Sequence, residues 1–148
     1  MIALDQINLV VADPEATLRF YRLLGVKIPE RAIWRTPSGI HHVGVECGHA
    51  GLDFDSRALA KVYNAGFRPG RASKAPSGGN VVIGFTVGSR RRVDALYEKA
   101  VAAGYRGLQP PWDAFWGARY AIVADPDGNH VGLMSPRDPR KRAPAPPL

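Results

Sequence analysis

The order strand, helix, strand, strand, strand occurs twice along this chain, and this duplication limits the possible folds more than any other feature of the sequence. In the first half, residues 4–11 alternate as a strand, Asp13-Pro14 begins a helix, and three strand-like segments follow. In the second half, residues 81–87 form the strand, and Ser89 caps the helix before three more strand-like segments. A helix covers only one face of such a sheet. The pattern therefore predicts an α+β fold in which two tandem βαβββ modules form a half-barrel cavity.

The duplicated pattern also predicts the domain organisation. We expect residues 1–136 to form a single domain made of two modules, at about 1–56 and 79–136, joined by a linker over 57–78. Residues 137–148 form a Pro-rich C-terminal tail with four basic residues and one acidic residue. Short basic segments of this composition remain solvated, so we expect the tail to be flexible.

Charge and composition exclude several functional classes. The formal net charge is +7, but no recognition helix, zinc finger or base-stacking motif accompanies the basic residues, so no nucleic-acid partner is expected. The N-terminus lacks the pattern of a signal peptide, and no apolar stretch is long enough to span a membrane. Cys47 is the only cysteine, which excludes an internal disulfide. These features predict a cytoplasmic protein with no membrane partner.

An aromatic cluster, formed by Trp112, Phe115, Trp116 and Tyr120, precedes the closing hairpin of the second half. Trp34 occupies the corresponding hairpin of the first half. Flat aromatic side chains provide large contact areas with few rotatable bonds. Because a loop rich in Pro and aromatic residues is unfavourable in water unless it covers another surface, the cluster predicts a binding site for a planar ligand.

The residues around these elements resemble a known family. The motifs are Val10-Val11-Ala12-Asp13 at the end of the first strand, Phe20-Tyr21 and Leu24-Gly25 in the first helix, and Asp125-Pro126-Asp127-Gly128-Asn129 in the last hairpin. Together with the duplicated order of elements, they are similar to the vicinal oxygen chelate superfamily, also called the glyoxalase, bleomycin resistance protein and dioxygenase superfamily, over about residues 2–136. The resemblance is greatest to the bleomycin-resistance-like branch, and it implies a homodimer.

The resemblance also implies four positions for a divalent metal, two in each half. Carried over to this sequence, they fall on Gln6 and Asp53 in the first half and on Val82 and Gly132 in the second. Val82 and Gly132 offer no donor atom, whereas a catalytic metal needs about three protein ligands. His130 shares a strand face with Gly132 but lies two residues away along the strand. We therefore expect no metal and no other cofactor.

The other three histidines give no better metal site. His41 and His42 are neighbours on a predicted strand, so their side chains point to opposite faces and cannot bind one ion. His49 lies in a predicted turn. We expect structural or solvent-exposed roles for all three.

The cavity and its lining are the remaining functional feature. Strand alternation places Gln6, Asn8 and Asp53 on the cavity side, and we expect them to bind a ligand together with Trp34, the aromatic cluster and His130. The sequence predicts a metal-free protein that sequesters a planar or cationic small organic molecule. It leaves open an enzyme instead, either a metal-dependent lyase or dioxygenase with a rebuilt ligand set, or a metal-free catalyst that uses Asp53 as its base.

Overall fold

A computed structural model of the protein describes residues 4–67 and 81–147. The chain divides into two units, Met1–Ser73 and Lys74–Leu148. Each unit contains one four-stranded sheet and begins with a strand followed by a helix. The predicted α+β class with two βαβββ modules is confirmed.

The first unit contains four strands and two helices in its described part. They are β1 (Gln6–Val11), α1 (Pro14–Leu23), β2 (Ile33–Thr36), β3 (Gly39–Cys47), β4 (Ala50–Ser56) and α2 (Arg57–Tyr63). The strand order in the sheet is β1-β4-β3-β2. β1 runs parallel to β4, and the other neighbouring pairs are antiparallel.

Local sequence determines the ends of α1. The Asp13 side chain accepts a hydrogen bond from the Ala16 backbone N–H at 3.1 Å, and Pro14 occupies the first turn, where its missing N–H costs nothing. Gly25 follows the helix with a φ of 94°, a conformation that favours glycine. These signals allowed the sequence to predict a helix start at Asp13-Pro14.

Helix α1 supplies one side of the core of the first unit. Its residues Thr17, Leu18, Phe20 and Tyr21 are buried. The Tyr21 ring packs on Phe54 of β4 with their centroids 4.6 Å apart. Because side chains alternate along a strand, this contact fixes which face of the first sheet is covered by α1.

The second unit repeats the arrangement. Its elements are β5 (Val82–Thr86), α3 (Arg90–Ala102), β6 (Gly107–Asp113), β7 (Arg119–Ala124) and β8 (His130–Met134). The strand order is β5-β8-β7-β6, with β5 parallel to β8. Helix α3 begins at Ser89, whose hydroxyl accepts from the Arg92 N–H, and it buries Val93, Leu96 and Ala100.

The hairpin between β7 and β8 is held by one carboxylate. Asp125 Oδ1 accepts from the backbone N–H groups of Asp127 and Asn129, and its Oδ2 accepts from the Asn129 side chain. Gly128 adopts a φ of 84° in the same turn. The motif therefore fixes the register of the hairpin locally.

Strand register gathers polar residues on the face of the first sheet that α1 does not cover. Asn8 and Gly44 both pair with Asp53, and His42 pairs with Asp55. We call this surface the polar face; it comprises Gln6, Asn8, His42, Gly44, Asp53 and Asp55. The buried residues Val43, Leu52 and Phe54 alternate with them and face the core.

Two segments differ from a simple strand-and-loop interpretation. Before β2, residues Glu30–Ala32 form a 3₁₀ turn that follows Pro29. In the second unit, Pro110, Pro111 and Trp112 belong to β6 itself, although the sequence suggested a loop. β6 is an edge strand of its sheet, and an edge strand tolerates proline because its outer N–H groups need no ladder partner.

The segment after β8 is hydrogen-bonded to the loop between β6 and β7. The Asp138 N–H donates to the Gly117 carbonyl at 3.0 Å, and the Ala143 N–H donates to the Phe115 carbonyl at 2.9 Å. Trp116 and Arg142 form an isolated antiparallel bridge. Residues 138–143 are therefore hydrogen-bonded to the loop of the second unit. The sequence-based expectation of a flexible tail did not predict these contacts.

None of the helices in the described ranges combines the length and the apolar character needed to cross a bilayer.

We predict that Phe54→Ala destabilises the first unit by about 3–5 kcal/mol, because it removes a buried aromatic side chain and leaves a cavity against Tyr21. Urea denaturation followed by circular dichroism measures the loss. Val62→Ala is the control, since Val62 is 81% exposed and should change stability by less than about 0.5 kcal/mol. Equal effects of the two substitutions would contradict the assigned core.

Candidate functional site

Asp55 is the centre of the candidate site. It lies on β4 and is only 1% exposed. Its carboxylate accepts three side-chain hydrogen bonds, from Asn8 Nδ2 at 2.7 Å, His42 Nδ1 at 2.6 Å and Tyr63 OH at 2.8 Å. A buried carboxylate is stable only when such donors replace its hydration, so these three side chains explain how Asp55 is tolerated.

His42 is oriented by this carboxylate. The short contact to Asp55 requires a proton on Nδ1, because a carboxylate can only accept. The other ring nitrogen, Nε2, has no hydrogen-bond partner within the described ranges, and the side chain is 36% exposed. In the neutral ring, Nε2 is therefore an accessible lone pair.

The free nitrogen of His42 and the carboxylate of Asp53 border the same small volume. A Cβ placed on Gly44 would lie 3.5 Å from His42 Nε2 and 3.8 Å from Asp53 Oδ1. On the other side, a Cβ on Gly51 would lie 3.2 Å from Asp53 Oδ1. Gly44 thus leaves space beside both groups for atoms of a ligand, whereas the Gly51 position is already crowded by Asp53 and Gln6.

Asp53 differs from Asp55 in its partners. It is 7% exposed, yet no hydrogen bond or ion pair engages its carboxylate among the described residues. Its strand neighbours are Asn8 and Gly44, and the Asn8 amide is directed to Asp55 instead. Asp53 is therefore a nearly buried acceptor that the described residues do not satisfy.

Gln6 and Asn8 extend the network along β1. Gln6 Nε2 donates to Asn8 Oδ1 at 2.8 Å, and Asn8 in turn donates to Asp55. The structure therefore brings three of the sequence-predicted residues, Gln6, Asn8 and Asp53, onto one face, as alternation predicted. It adds His42, Asp55 and Tyr63, which were not assigned ligand roles from the sequence.

A pocket of about 780 Å³ opens beside this face, a volume suited to a small organic ligand. Its lining residues are Lys27, Ile28, Pro29, Arg31, Ala32, Gly44 and Glu46. Gly44 belongs both to the pocket wall and to the polar face. The pocket and the site around His42 and Asp53 are therefore adjacent within the first unit.

The second sheet presents different chemistry at equivalent positions. Gly84 pairs with Gly132 as Asn8 pairs with Asp53, which supports the alignment of Asp53 with Gly132. A Cβ on Gly132 would lie 2.6 Å from the hydroxyl oxygen of Tyr120. The Tyr120 ring thus occupies the space that a side chain at position 132 needs, and burial raises the pKa of its hydroxyl.

The residues present do not fit the metal site that the resemblance implies. The first unit offers the Gln6 amide and the Asp53 carboxylate, but Val82 has only hydrocarbon, and Tyr120 covers Gly132. Within residues 4–67 and 81–147, no three side chains from His, Cys, Asp and Glu are grouped as metal ligands. A divalent ion bound by these four positions would lack the donors it needs.

The aromatic cluster is contiguous. Trp116 lies at its centre, with its ring centroid 5.6 Å from Trp112, 5.1 Å from Phe115 and 5.6 Å from Tyr120, all edge-on. Trp112 remains 38% exposed and can contact a ligand. Trp34 belongs to the first unit, where it is 51% exposed and packs on His41 with 5.3 Å between ring centroids.

Salt bridges hold the strand that carries Trp112. Asp113 pairs with Arg90 of α3 and with Arg119 of β7, and Arg119 also pairs with Asp94 of α3. The hydrogen bond from Arg119 and the neighbouring Arg90 keep the pKa of Asp113 below its ordinary value. The end of β6 is thereby fixed to the helix behind the sheet.

His130 has an unusual environment. It pairs with Val82 and Ala124 in the second sheet, and its Nε2 atom is buried with no hydrogen-bond partner among the described residues. His41, in contrast, bonds to Thr36 at 2.7 Å and to Ser38 at 3.1 Å, which is consistent with a structural role. Nε2 of His130 is therefore available to a new partner, whereas Nε2 of His41 is already hydrogen-bonded.

We predict that Tyr63 stabilises the fold in a pH-dependent way. Loss of solvation and the adjacent Asp55 carboxylate raise the pKa of Tyr63 to about 12 from 10.0. A folded-state pKa above the unfolded value means that the stabilisation is complete below pH 10.0 and is lost as the pH rises toward 12. The difference in melting temperature between the protein and Tyr63→Phe should therefore stay constant from neutral pH to about pH 9 and shrink above pH 10. A difference that grows in that range would refute this coupling.

We also predict that Gly132→Ala destabilises the second unit by about 1–3 kcal/mol, because the new methyl group must displace Tyr120. Gly84→Ala is the matched control: it lies opposite Gly132 on β5, and no atom of the described residues comes within 4 Å of its Cβ position. The double variant Gly132→Ala with Tyr120→Ala should show less than the sum of the single effects in urea denaturation. Additive effects would mean that Tyr120 does not cover position 132.

Comparison with known proteins gives one family. The family model of the Glyoxalase/Bleomycin resistance protein/Dioxygenase superfamily matches residues 3–133. Among curated proteins, an uncharacterised protein of Mycobacterium bovis is 43% identical over 44 residues, which is 30% of this chain and 29% of that protein. The matched segment is therefore well under two thirds of that relative's length.

Solved structures share the fold at low sequence identity. A glyoxalase/bleomycin resistance protein/dioxygenase family enzyme from Burkholderia phytofirmans PsJN is 23% identical, with a TM-score of 0.70 over 90% of this chain and 98% of that chain. A glyoxalase-related enzyme from Fulvimarina pelagi is 24% identical, with a TM-score of 0.70 over 92% and 89%. Lactoylglutathione lyase from Agrobacterium tumefaciens is 19% identical, with a TM-score of 0.59 over 90% and 92%.

Proposed function

The chain belongs to the glyoxalase/bleomycin resistance protein/dioxygenase superfamily, and we propose that this member binds a planar or cationic small organic molecule without a metal ion. The resemblance read from the sequence is thus confirmed for the family. The family alone does not determine an activity, because one fold carries many functions. The proposal therefore depends on the residues of the polar face and the aromatic cluster.

The observation that carries the proposal is the state of Asp53. A carboxylate that is 7% exposed has lost most of its hydration, yet the described residues give it no donor or cation. Its oxygens keep contact with solvent, so a ligand with a positive charge or an N–H group can replace that water and pair with the carboxylate. The space left by Gly44 gives that group access to Asp53 Oδ1.

The planar character of the ligand is supported by the aromatic cluster. Trp112 is partly exposed, and its edge-on contact with Trp116 holds the ring in place. A fixed aromatic ring offers a stacking surface with little loss of side-chain entropy on binding. The proposed ligand-binding residues are taken unit by unit: Gln6, Asn8, Asp53 and Trp34 in the first, and Trp112, Phe115, Tyr120 and His130 in the second.

The metal-free part of the proposal follows from donor chemistry. Val82 and the Tyr120-covered Gly132 leave the second unit without ligands at the family's metal positions. Binding then relies on hydrogen bonds, charge and stacking. We further propose a cytoplasmic homodimer with no nucleic-acid or membrane partner, as the sequence led us to expect.

Fluorescence titration with 9-aminoacridine, a planar cation, and with uncharged anthracene tests the binding proposal. We expect tryptophan quenching by the cation, and Asp53→Asn should weaken its binding tenfold or more, since a charge-assisted contact contributes about 1.5–3 kcal/mol. Trp112→Ala should weaken both probes. Glu98→Gln is the control, because it removes an equal charge from an exposed position on α3. Binding that is equal in Asp53→Asn and Glu98→Gln would refute the role of Asp53.

Metal analysis of protein purified without chelators tests the second part. We expect less than stoichiometric Zn²⁺, Ni²⁺, Fe²⁺ and Mn²⁺, and unchanged probe binding after EDTA treatment. A stoichiometric divalent ion that disappears in Asp53→Ala would overturn the metal-free proposal.

A further inference from the structure

The polar face contains an arrangement that simple ligand binding does not require. Asp55, almost fully buried, holds His42 through Nδ1 at 2.6 Å, while His42 Nε2 is left free beside Asp53. A carboxylate that accepts from Nδ1 keeps the lone pair on Nε2, and it stabilises the positive charge that forms when Nε2 takes a proton.

The other hydrogen bonds of Asp55 determine which of its two oxygen atoms faces His42. Asn8 and Tyr63 occupy its Oδ2 atom, so its Oδ1 atom is directed to His42. The Tyr63 hydroxyl is protonated at neutral pH, and its raised pKa extends to higher pH the range in which it donates to Asp55. The charged or titratable groups that face His42 are therefore Asp55 behind the ring, Tyr63 beyond it and Asp53 across the Gly44 space, with Glu46 further along β3.

We propose that His42 is a general base, positioned by Asp55, that removes a proton from carbon or oxygen of a small molecule bound against Asp53. Nε2 takes the proton, and the electron pair of the broken bond stays with the substrate. In an elimination this pair forms a double bond as the bond to the leaving group breaks; in an isomerisation it forms a double bond as the electrons of an adjacent π bond move to the neighbouring atom. The imidazolium returns the proton to the product or to water. The reaction class is metal-free isomerisation or elimination, which needs no oxidant or reductant.

The geometry favours His42 over Asp53 as the base. Imidazole is the side chain whose proton affinity suits proton transfer near neutral pH. Among the residues that the structure describes, no side chain orients Asp53, whereas Asp55 orients His42. Asp53 instead suits the recognition of a cationic or N–H group on the substrate, and Gly44 connects this pair to the adjacent pocket.

Elimination of nitrobenzisoxazole tests the proposal without a known substrate. This planar molecule loses its ring C–H proton to a base, the C–H electron pair forms a nitrile, the N–O bond breaks, and a coloured cyanonitrophenolate is released. We expect catalysis above the buffer rate, dependent on one deprotonation, and unaffected by EDTA. His42→Gln should lower the catalysed rate at least tenfold, because general bases contribute about 10²–10⁴-fold.

His49→Gln is the matched control, because His49 is exposed in the turn between β3 and β4 and should leave the rate unchanged. Circular dichroism establishes that His42→Gln is folded. A folded His42→Gln protein with the full rate, or a wild-type protein with no catalysis, would overturn the proposal. Binding of the probe without turnover would overturn the catalytic inference alone and leave the proposed binding function intact.

The positioning role of Asp55 needs a separate readout. Nitrogen-15 NMR of the histidine rings should show His42 as the Nδ1-protonated tautomer in the neutral protein. In Asp55→Asn, that preference should be lost and kcat should fall with little change in KM, whereas His49→Gln should keep both. An Nε2-protonated His42 in the wild-type protein would contradict the arrangement, and this test stands even if Asp55→Asn does not fold.

Discussion

The burial of the Asp55 carboxylate constrains the whole polar face of the first unit. Removing a charged group from water is costly, and here donors from three separate elements replace the lost hydration: Asn8 from β1, His42 from β3 and Tyr63 from α2. Each donor is held at 2.8 Å or less, so strands and helix cannot shift independently. The orientation of His42 and the free state of Asp53 both follow from this one buried charge.

The two units show how a duplicated framework can diverge in chemistry. Equivalent register positions carry His42 and Tyr120 on the third strand of each sheet, with Trp34 and Trp112 as their respective edge-strand partners. The first unit uses this framework for hydrogen bonds around a carboxylate. The second uses it for packed aromatic rings. The pairing of the central strands is similar, and the chemical difference lies in their side chains and in α2, which supplies Tyr63 in the first unit.

Much of the fold could be predicted from the sequence because its signals are local. Caps such as Asp13 and Ser89 mark helix starts, and strand alternation places Asn8 and Asp53 on one side. The pairing of His42 with Asp55 is not local, because it depends on the register between two strands. A β-bulge at His41 also interrupts the alternation from which the roles of both neighbouring histidines were judged. The same limitation applies to Tyr120, whose position over Gly132 depends on packing between strands.

The contact between Tyr120 and Gly132 has a consequence for the history of this family member. A carboxylate introduced at position 132 alone would collide with the tyrosine ring. Evolution toward a metal-binding relative would thus require the ring to shrink or leave before an acidic residue could be accepted. The order of mutations is constrained, because Tyr120 must be replaced before an acidic residue at position 132 can fit.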